Sequence, residues 1–264
     1  MAMLQTSPRH LNTSPSWGKT LLLVILLCYM WQNGIAFIVL CAAAVVTIAL
    51  KKLDAKAAVA AVVIGFVTWL GEGYTGIALL ATFFIAGTLA TSWKMRTKQQ
   101  TGLAEQHRGQ RTAGQVIANG GVAAILSLLS FLFVQHQPLL LLMVASSLSS
   151  AIADTLSSEL GNVYGRKFYH IMNFKKDIRG LNGVVSIEGT MIGIAGSSLI
   201  ALVYAVQAGM TIHLLWIVIA GAIGNLMDSV LGATLERKHI LNNDAVNFLN
   251  TLTGALVGLM LYYF

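Results

Sequence analysis

Charge is scarce in this chain. Only 10% of its 264 residues are Asp, Glu, Lys or Arg, where a soluble domain carries about a quarter. With 56% hydrophobic residues and a mean hydropathy of +0.73, that shortage excludes a soluble core and points to a multi-pass membrane protein. Cysteine is nearly absent. Cys28 and Cys41 both sit in apolar stretches and read as small buried hydrophobes, which excludes a disulfide framework or a thiolate metal site. The signatures of soluble nucleotide and zinc enzymes are missing too: no Gly-x-x-x-x-Gly-Lys-Ser/Thr run, no strand-linked Gly-x-Gly-x-x-Gly and no His-Glu-x-x-His. His107, His170 and His239 lie in connectors without ligand spacing. No internal repeat is evident, and no alternation of apolar and polar residues supports a barrel.

What is there is a series of apolar runs with polar breaks, the pattern of an all-α polytopic transmembrane helical bundle. Residues 1–19 form a polar tail, whose resemblance to a signal peptide is outweighed by the apolar stretch running on to Leu50. Residues 20–264 read as one transmembrane domain. Nine spans are expected: a hairpin of two short helices near 20–32 and 35–50, broken at Gln32-Asn33-Gly34, then 56–71, 75–93, 112–134, 138–156, 184–206, 212–233 and 245–263. With the N-terminus cytosolic, all 17 Lys and Arg fall on the cytosolic side, a clean case of the positive-inside rule. A single span over 20–50 would move Arg9 and Lys19 outside and leave the rest unchanged. The expected location is a bacterial cytoplasmic membrane. The net charge of +7 is spread over short connectors, so it sets topology and does not suggest nucleic acid.

The acids carry the functional signal. Asp154, Glu159, Glu188, Asp228 and Asp244 all fall at the cytosolic ends of their spans, and none lies at the midplane. At 100° per residue, Arg111, Gln115 and Asn119 share a stripe. So do Asp154, Ser157, Ser158 and Gly161, with Glu159 about 140° away. Gly221, Gly224, Asn225, Asp228 and Gly232 line a third stripe, and Asp244, Asn247, Thr251 and Gly258 a fourth. Taken singly, the small residues read as helix packing, and helix-end acids can simply pair with nearby cations. Acids from several spans at one depth, beside the basic connector of Arg166, Lys167, Lys175, Lys176 and Arg179, point instead to a shared polar pocket. Hard oxygen ligands ringed by cations suit a phosphate substrate with Mg²⁺.

Five motifs come in order: Arg111-Thr-Ala-Gly-Gln115-Val-Ile-Ala-Asn119-Gly120, Ala153-Asp154-Thr-Leu-Ser157-Ser158-Glu159-Leu-Gly161, Gly183-Val-Val-Ser186-Ile-Glu188-Gly189-Thr190, Asp228-Ser229-Val-Leu-Gly232-Ala-Thr and Asn243-Asp244-Ala-Val-Asn247-Phe-Leu. Over roughly residues 50–264 they resemble the integral membrane family that includes transmembrane protein 19 and the plastid phytyl-phosphate kinase. The stretch from Asp154 to Gly161 is also similar to one in CTP-dependent polyprenol kinases. Asn182 stands where the family carries an acid, and Glu236 where a Gln is expected. The resemblance implies phosphorylation of an isoprenyl monophosphate such as phytyl phosphate by a nucleoside triphosphate, CTP first among them. On that reading Asp154, Asp228 and Asp244 hold Mg²⁺ and, with Glu159, meet the triphosphate. Arg111 and Lys175 or Lys176 screen phosphate charge, while Asn119 and Asn247 orient it. Gln115, Ser158, Gly161, Asn182, Gly183, Ser186, Glu188 and Thr190 complete the binding surface. The alternative is a lipid or small-molecule transporter or flippase without nucleotide chemistry.

Overall fold

The computed structural model describes residues 17–103 and 109–264. Residues 1–16 of the expected polar tail, with Arg9, and the connector positions His107 and Arg108 lie outside the described residues, while 17–19 open α1. In chain order the helices are Trp17–Ala49 (α1), Ala55–Ser92 (α2), Met95–Gln100 (α3), Ala113–Leu132 (α4), Gln137–Tyr164 (α5), Ile187–Ala208 (α6), His213–Leu231 (α7) and Asn243–Tyr262 (α8). Between α5 and α6 a small antiparallel hairpin pairs Tyr169–His170 (β1) with Val184–Val185 (β2). A π-helical turn, Gly232–Glu236, continues α7. Seven of the described helices are long and apolar enough to cross a membrane, so the chain is a polytopic helical bundle.

The N-terminal third departs from expectation. The proposed hairpin over 20–50 is one unbroken helix, α1, of 33 residues. Its polar interruption does not break it, because Asn33 has a partner across the interface: Trp69 Nε1 donates to Asn33 Oδ1 at 2.8 Å. Among the described residues one helix therefore stands where two spans were expected, the single-span case in which Arg9 and Lys19 move to the other side. The next pair is as expected. α2 has 38 residues, about 57 Å if straight at 1.5 Å per residue, nearly twice a bilayer core. It doubles back at Gly73, whose φ of 58° and ψ of −140° are open to glycine and strained for other residues. The arms 55–72 and 74–92 run antiparallel, and Lys52 Nζ, just before the first, donates to Ser92 Oγ at the end of the second (2.9 Å).

α5 is the axis. Every residue from Leu139 to Ala153 is buried, with α2, α4, α8, α7 and α6 packed around it. A helix enclosed on all sides needs small residues where neighbours come closest, since lipid supplies no hydrophobic drive between helices. Ser146, Ser149 and Ser150 occupy that face. A Cβ on Gly221 or Gly224 of α7, or on Gly258 of α8, would collide with their side chains, and one on Gly254 would lie 2.6 Å from the Ser146 carbonyl. For these glycines the packing reading holds. Ser149 Oγ donates to the Ile217 carbonyl at 2.9 Å, and Ser150 Oγ to the Asn250 carbonyl at 3.1 Å.

The two ends of the bundle differ in charge. From Lys51 onward, every described Lys and Arg belongs to the end where α1 and α5 finish and α4, α6 and α8 begin. The opposite end is closed by the turn at Gly73 and by residues 133–136 and 209–212, which carry no Lys or Arg.

Candidate functional site

At Asp154 the central helix leaves the packed core while staying helical to Tyr164. Its side chains there face a cleft of about 720 Å³ at the basic end. One wall is the start of α4. Thr112 caps it, Oγ1 accepting from Gln115 N (3.4 Å) and Gln115 Oε1 accepting from Thr112 N (3.0 Å), a reciprocal box that fixes the first turn. Asn119 lies one turn further in. Its Nδ2 donates to the Gln115 carbonyl at 2.9 Å, and its Oδ1 is buried without a partner. Arg111 is held just before the cap, its N donating to the Lys52 carbonyl (2.9 Å) and its own carbonyl accepting from Asp54 N (3.2 Å). The guanidinium lies 5.1 Å from the Phe83 ring centroid and 5.8 Å from that of Phe84, a cation–π seat.

The facing wall is the start of α8. Asn242 caps it by accepting from Ala245 N at 2.9 Å. Asp244 and Asn247 point into the cleft. The Asp244 carboxylate occupies the space where a Cβ at position 114 would stand, so a side chain there would push the carboxylate aside. That seat sets a negative charge at the positive end of α4.

A second, smaller cleft of about 170 Å³ lies beneath the β1–β2 hairpin. Gly161, Gly183, Ser186, Thr190 and Asp228 line it, along with Ser157 and Asn225, which are joined by a hydrogen bond from Ser157 Oγ to Asn225 Oδ1 (3.0 Å). The two clefts share a wall made of Asp154, Ser158, Asn162, Gly180, Asn182, Glu236 and Asn243. The hairpin is pinned over this wall. Arg237 Nε donates to the Asn182 carbonyl (2.6 Å) and its Nη2 to Asp177 Oδ2 (2.8 Å). That bond, with a second from the Ile178 N–H, holds the Asp177 carboxyl below its usual range. Gly183, at φ 73°, packs so tightly on Ala233 that a side chain has no room.

The acids meet different partners. Asp154 and Asp228 face each other, carboxyl to carboxyl, with Glu236 close by, and Asp228 Oδ2 is buried without a hydrogen bond. Two carboxyls in contact, one with an oxygen left unpaired and Asn250 on the other side, fit a shared cation, because like charges at that range repel. Asp244 stands apart at the start of α4. Asp154, Asp228 and Asp244 are thus not brought together, and among the described residues no group of three or more His, Cys, Asp or Glu gathers as metal ligands. Glu159 has a partner of its own. It forms an ion pair with Lys98, a side chain only 1% exposed that also donates to the carbonyls of Ala90 (3.1 Å) and Thr91 (2.8 Å). The 140° between Asp154 and Glu159 is kept, and each has its own partner.

Three expected site residues do not reach either cleft. Lys175 and Lys176 are exposed on the hairpin, because the turn that brings His170 N to the Lys175 carbonyl (2.9 Å) carries them away from the shared wall. Glu188, in the first turn of α6, faces away from the stripe of Ser186 and Gly189. The remaining expected residues line one cleft or both.

Other residues were not expected at the site, although Asn243 and Glu236 stood in or beside its motifs. Asn162, Asn243 and Glu236 stand on the shared wall. Asn162 falls one turn after Ser158, so the helical stripe could have been carried on to it. Glu236 reaches the wall because the π-turn shifts the end of α7 by one residue, which no spacing announces. Arg179 sits beside the hairpin with a buried Nε lacking any partner among the described residues, 5.9 Å from the ring of Phe168, which lines the smaller cleft.

A family model described as integral membrane protein DUF92 matches residues 38–255. The chain belongs to this family. Protein VTE6, chloroplastic, of Arabidopsis thaliana is 34% identical over 96% of this chain and 74% of its own length. An uncharacterized membrane protein of Methanocaldococcus jannaschii is 30% identical over 86% and 93%. One of Synechocystis is 32% identical over 89% and 95%. No solved structure matches the chain.

Proposed function

We propose that this protein is a membrane-embedded kinase that adds a phosphate to an isoprenyl monophosphate at the expense of a nucleoside triphosphate. The observation that carries this reading is the pair of clefts with a common wall. The larger, at about 720 Å³, is in the range of small-molecule sites and suits a nucleotide. The smaller, at about 170 Å³, has room for a phosphate headgroup. A phosphoryl group passing from one to the other crosses the wall of Asp154, Ser158 and Asn182. The motif resemblance to the plastid phytyl-phosphate kinase and the 34% identity to VTE6 support the same reading. CTP is the favoured donor on that resemblance, and the basic end then faces the cytosol of a bacterial cytoplasmic membrane.

In the reaction a lipid monophosphate oxygen attacks the terminal phosphorus of the triphosphate. The bond to the bridging oxygen breaks, a nucleoside diphosphate leaves, and a lipid diphosphate forms. Such transfers need position and charge, with no covalent enzyme intermediate. Arg111 is fixed at the mouth of the larger cleft to meet phosphate oxygens. Asn119 Oδ1 and Asn247 offer polar contacts to the nucleotide, and the first turn of α4 presents backbone N–H groups. Asp154 and Asp228 would hold Mg²⁺, which supplies positive charge against the phosphoryl oxygens.

The test is direct. Purified protein is given each of the four labelled nucleoside triphosphates with phytyl or geranylgeranyl phosphate, and the lipid diphosphate is measured. Formation of product by the wild type and a drop of about 10²–10³-fold in Asp154→Asn, the scale of losing one transition-state electrostatic contact, is the expected result. Equal turnover in the two proteins, or lipid flux in proteoliposomes without nucleotide consumption, overturns the assignment.

A further inference from the structure

At the end of the bundle away from the clefts, a carboxyl is buried that the kinase reading does not use. Glu72 closes the first arm of α2, one residue before the Gly73 turn, and is only 5% exposed. Both of its carboxyl oxygens are buried without a hydrogen-bond partner. The Ser130 hydroxyl of α4 stands beside it, but its proton goes to the Gly71 carbonyl, at 3.4 Å. Two more buried hydroxyls flank the same turn. Thr68 lies one helical turn before Glu72, and both side chains crowd Gly76 on the second arm. Ser127 lies against Gly71 through its backbone. Neither hydroxyl has a partner. Helix hydroxyls such as Thr82, Thr190, Ser198, Ser229 and Thr253 donate to the carbonyl four residues back, the ordinary resolution in a membrane helix; Ser146 and Ser147 of α5 also lack a partner, but among the described residues no carboxyl is recorded beside them.

A bare carboxylate inside a membrane bundle is among the costliest groups to bury. No described Lys or Arg lies at this end. The titratable neighbours are Tyr204 of α6, hydrogen-bonded to His213 Nδ1 of α7 at 3.1 Å, and Tyr262 of α8; none carries a fixed positive charge. We propose that Glu72, with the hydroxyls of Thr68, Ser127 and Ser130, binds a monovalent alkali cation of the Na⁺ class between the α2 turn and α4.

The charge balance selects a single positive charge, since one carboxylate neutralises one. A divalent ion would want a second acid. The orphaned hydroxyls select a metal ion over a proton. A proton on Glu72 satisfies one oxygen and leaves the other, with Thr68 Oγ1 and Ser127 Oγ, unpaired. An ion with several oxygen ligands takes them together.

The experiment is thermal unfolding of the purified protein in detergent. It is run at matched ionic strength in NaCl, KCl, LiCl or choline chloride, at pH 6 and pH 8. Ligand binding to the folded state raises Tm with concentration. The wild type is expected to melt several degrees higher in one alkali chloride than in choline chloride at both pH values, and Glu72→Gln to lose the difference. Ser130→Ala keeps the charge and removes a ligand, so its half-saturating salt concentration should rise several-fold. That variant carries the test if Glu72→Gln does not fold. Curves identical in all four salts overturn the proposal, whether they are flat or shift only with pH, the mark of a proton site. So does an alkali-specific shift that survives unchanged in both variants.

Discussion

The two halves of α5 use similar residues to opposite ends. From Leu139 to Ala153 the helix is closed on every side, and its serines lie where glycines of α7 and α8 press closest. From Asp154 to Asn162 the helix stays closed on the α6 side, where Gly189 meets Gly161 and the Ser157 carbonyl, and opens elsewhere, so that Ser157, Ser158 and Asn162 face the clefts. A serine or glycine in this chain therefore has no fixed meaning. What decides it is whether the facing helix is near enough to touch, and that depends on the neighbour's residues as much as its own.

The comparison is broken most severely by closing the gap in the packed half. At Gly224 even one carbon collides with Ser150 Oγ, and it sits 2.7 Å from Ser150 Cβ and 2.9 Å from Asn250 Oδ1. Gly224→Val adds three carbons there, and buried neighbours on α5 and α8 cannot give way. The expected outcome is no folded protein, read as loss of the monodisperse peak in size-exclusion chromatography. A variant that folds and melts like the wild type would show that the two halves are packed alike.

The open half is held by charge. Lys98→Met removes the cation from Glu159 and leaves a nearly buried carboxylate alone, at a cost of about 3–5 kcal/mol. The melting temperature should fall by many degrees. Adding Glu159→Gln should restore much of the loss, because the unpaired charge is what destabilises. Full stability in Lys98→Met would mean the pair is incidental. By contrast, Asp154→Asn should leave melting close to wild type while removing turnover. The two readouts separate what holds the open half from what works in it.

Much of this was legible beforehand, and the limits have physical causes. Helix periodicity placed Gln115 and Asn119 on one wall and separated Glu159 from Asp154, because those relations lie within one helix; Arg111 joins that wall from just before the cap of α4. The aspartates were grouped by depth, which span position does reveal. Which of them touch depends on the relative rotation of helices, and that is set by packing of the kind seen at Gly224 and Gly254. So Asp154 and Asp228 meet while Asp244 stands at the start of α4. Gln32-Asn33-Gly34 looked like a break because a polar run in lipid normally is one. Its partner, Trp69, is 36 residues away and nothing in the run points to it. The exposed Lys175 and Lys176 were favoured over Arg179 because all three lie in one basic connector, and only the hairpin register tells them apart.

The smallest effect tests the roof over the open half. Asp177 is exposed enough that its bond to Arg237 contributes little to global stability, yet it ties the hairpin to the end of α7. Its pKa in the folded chain is lowered, first by the Arg237 hydrogen bond and then by that from the Ile178 N–H. A depressed carboxyl contributes above its ordinary value of 3.8 and loses that contribution as pH falls through the lowered one. Neutral pH should therefore leave the hairpin in place. In acid below about pH 4, the protection of residues 177–185 against hydrogen exchange, taken relative to the intrinsic rate at each pH, should fall in the wild type. Asp177→Asn cannot lose an ion pair it never makes, so its hairpin should exchange faster at neutral pH and gain little further in acid. If both proteins respond to acid alike, other carboxyls at the basic end hold the roof, and Glu236, which meets Asn182 on the shared wall, is the next to replace.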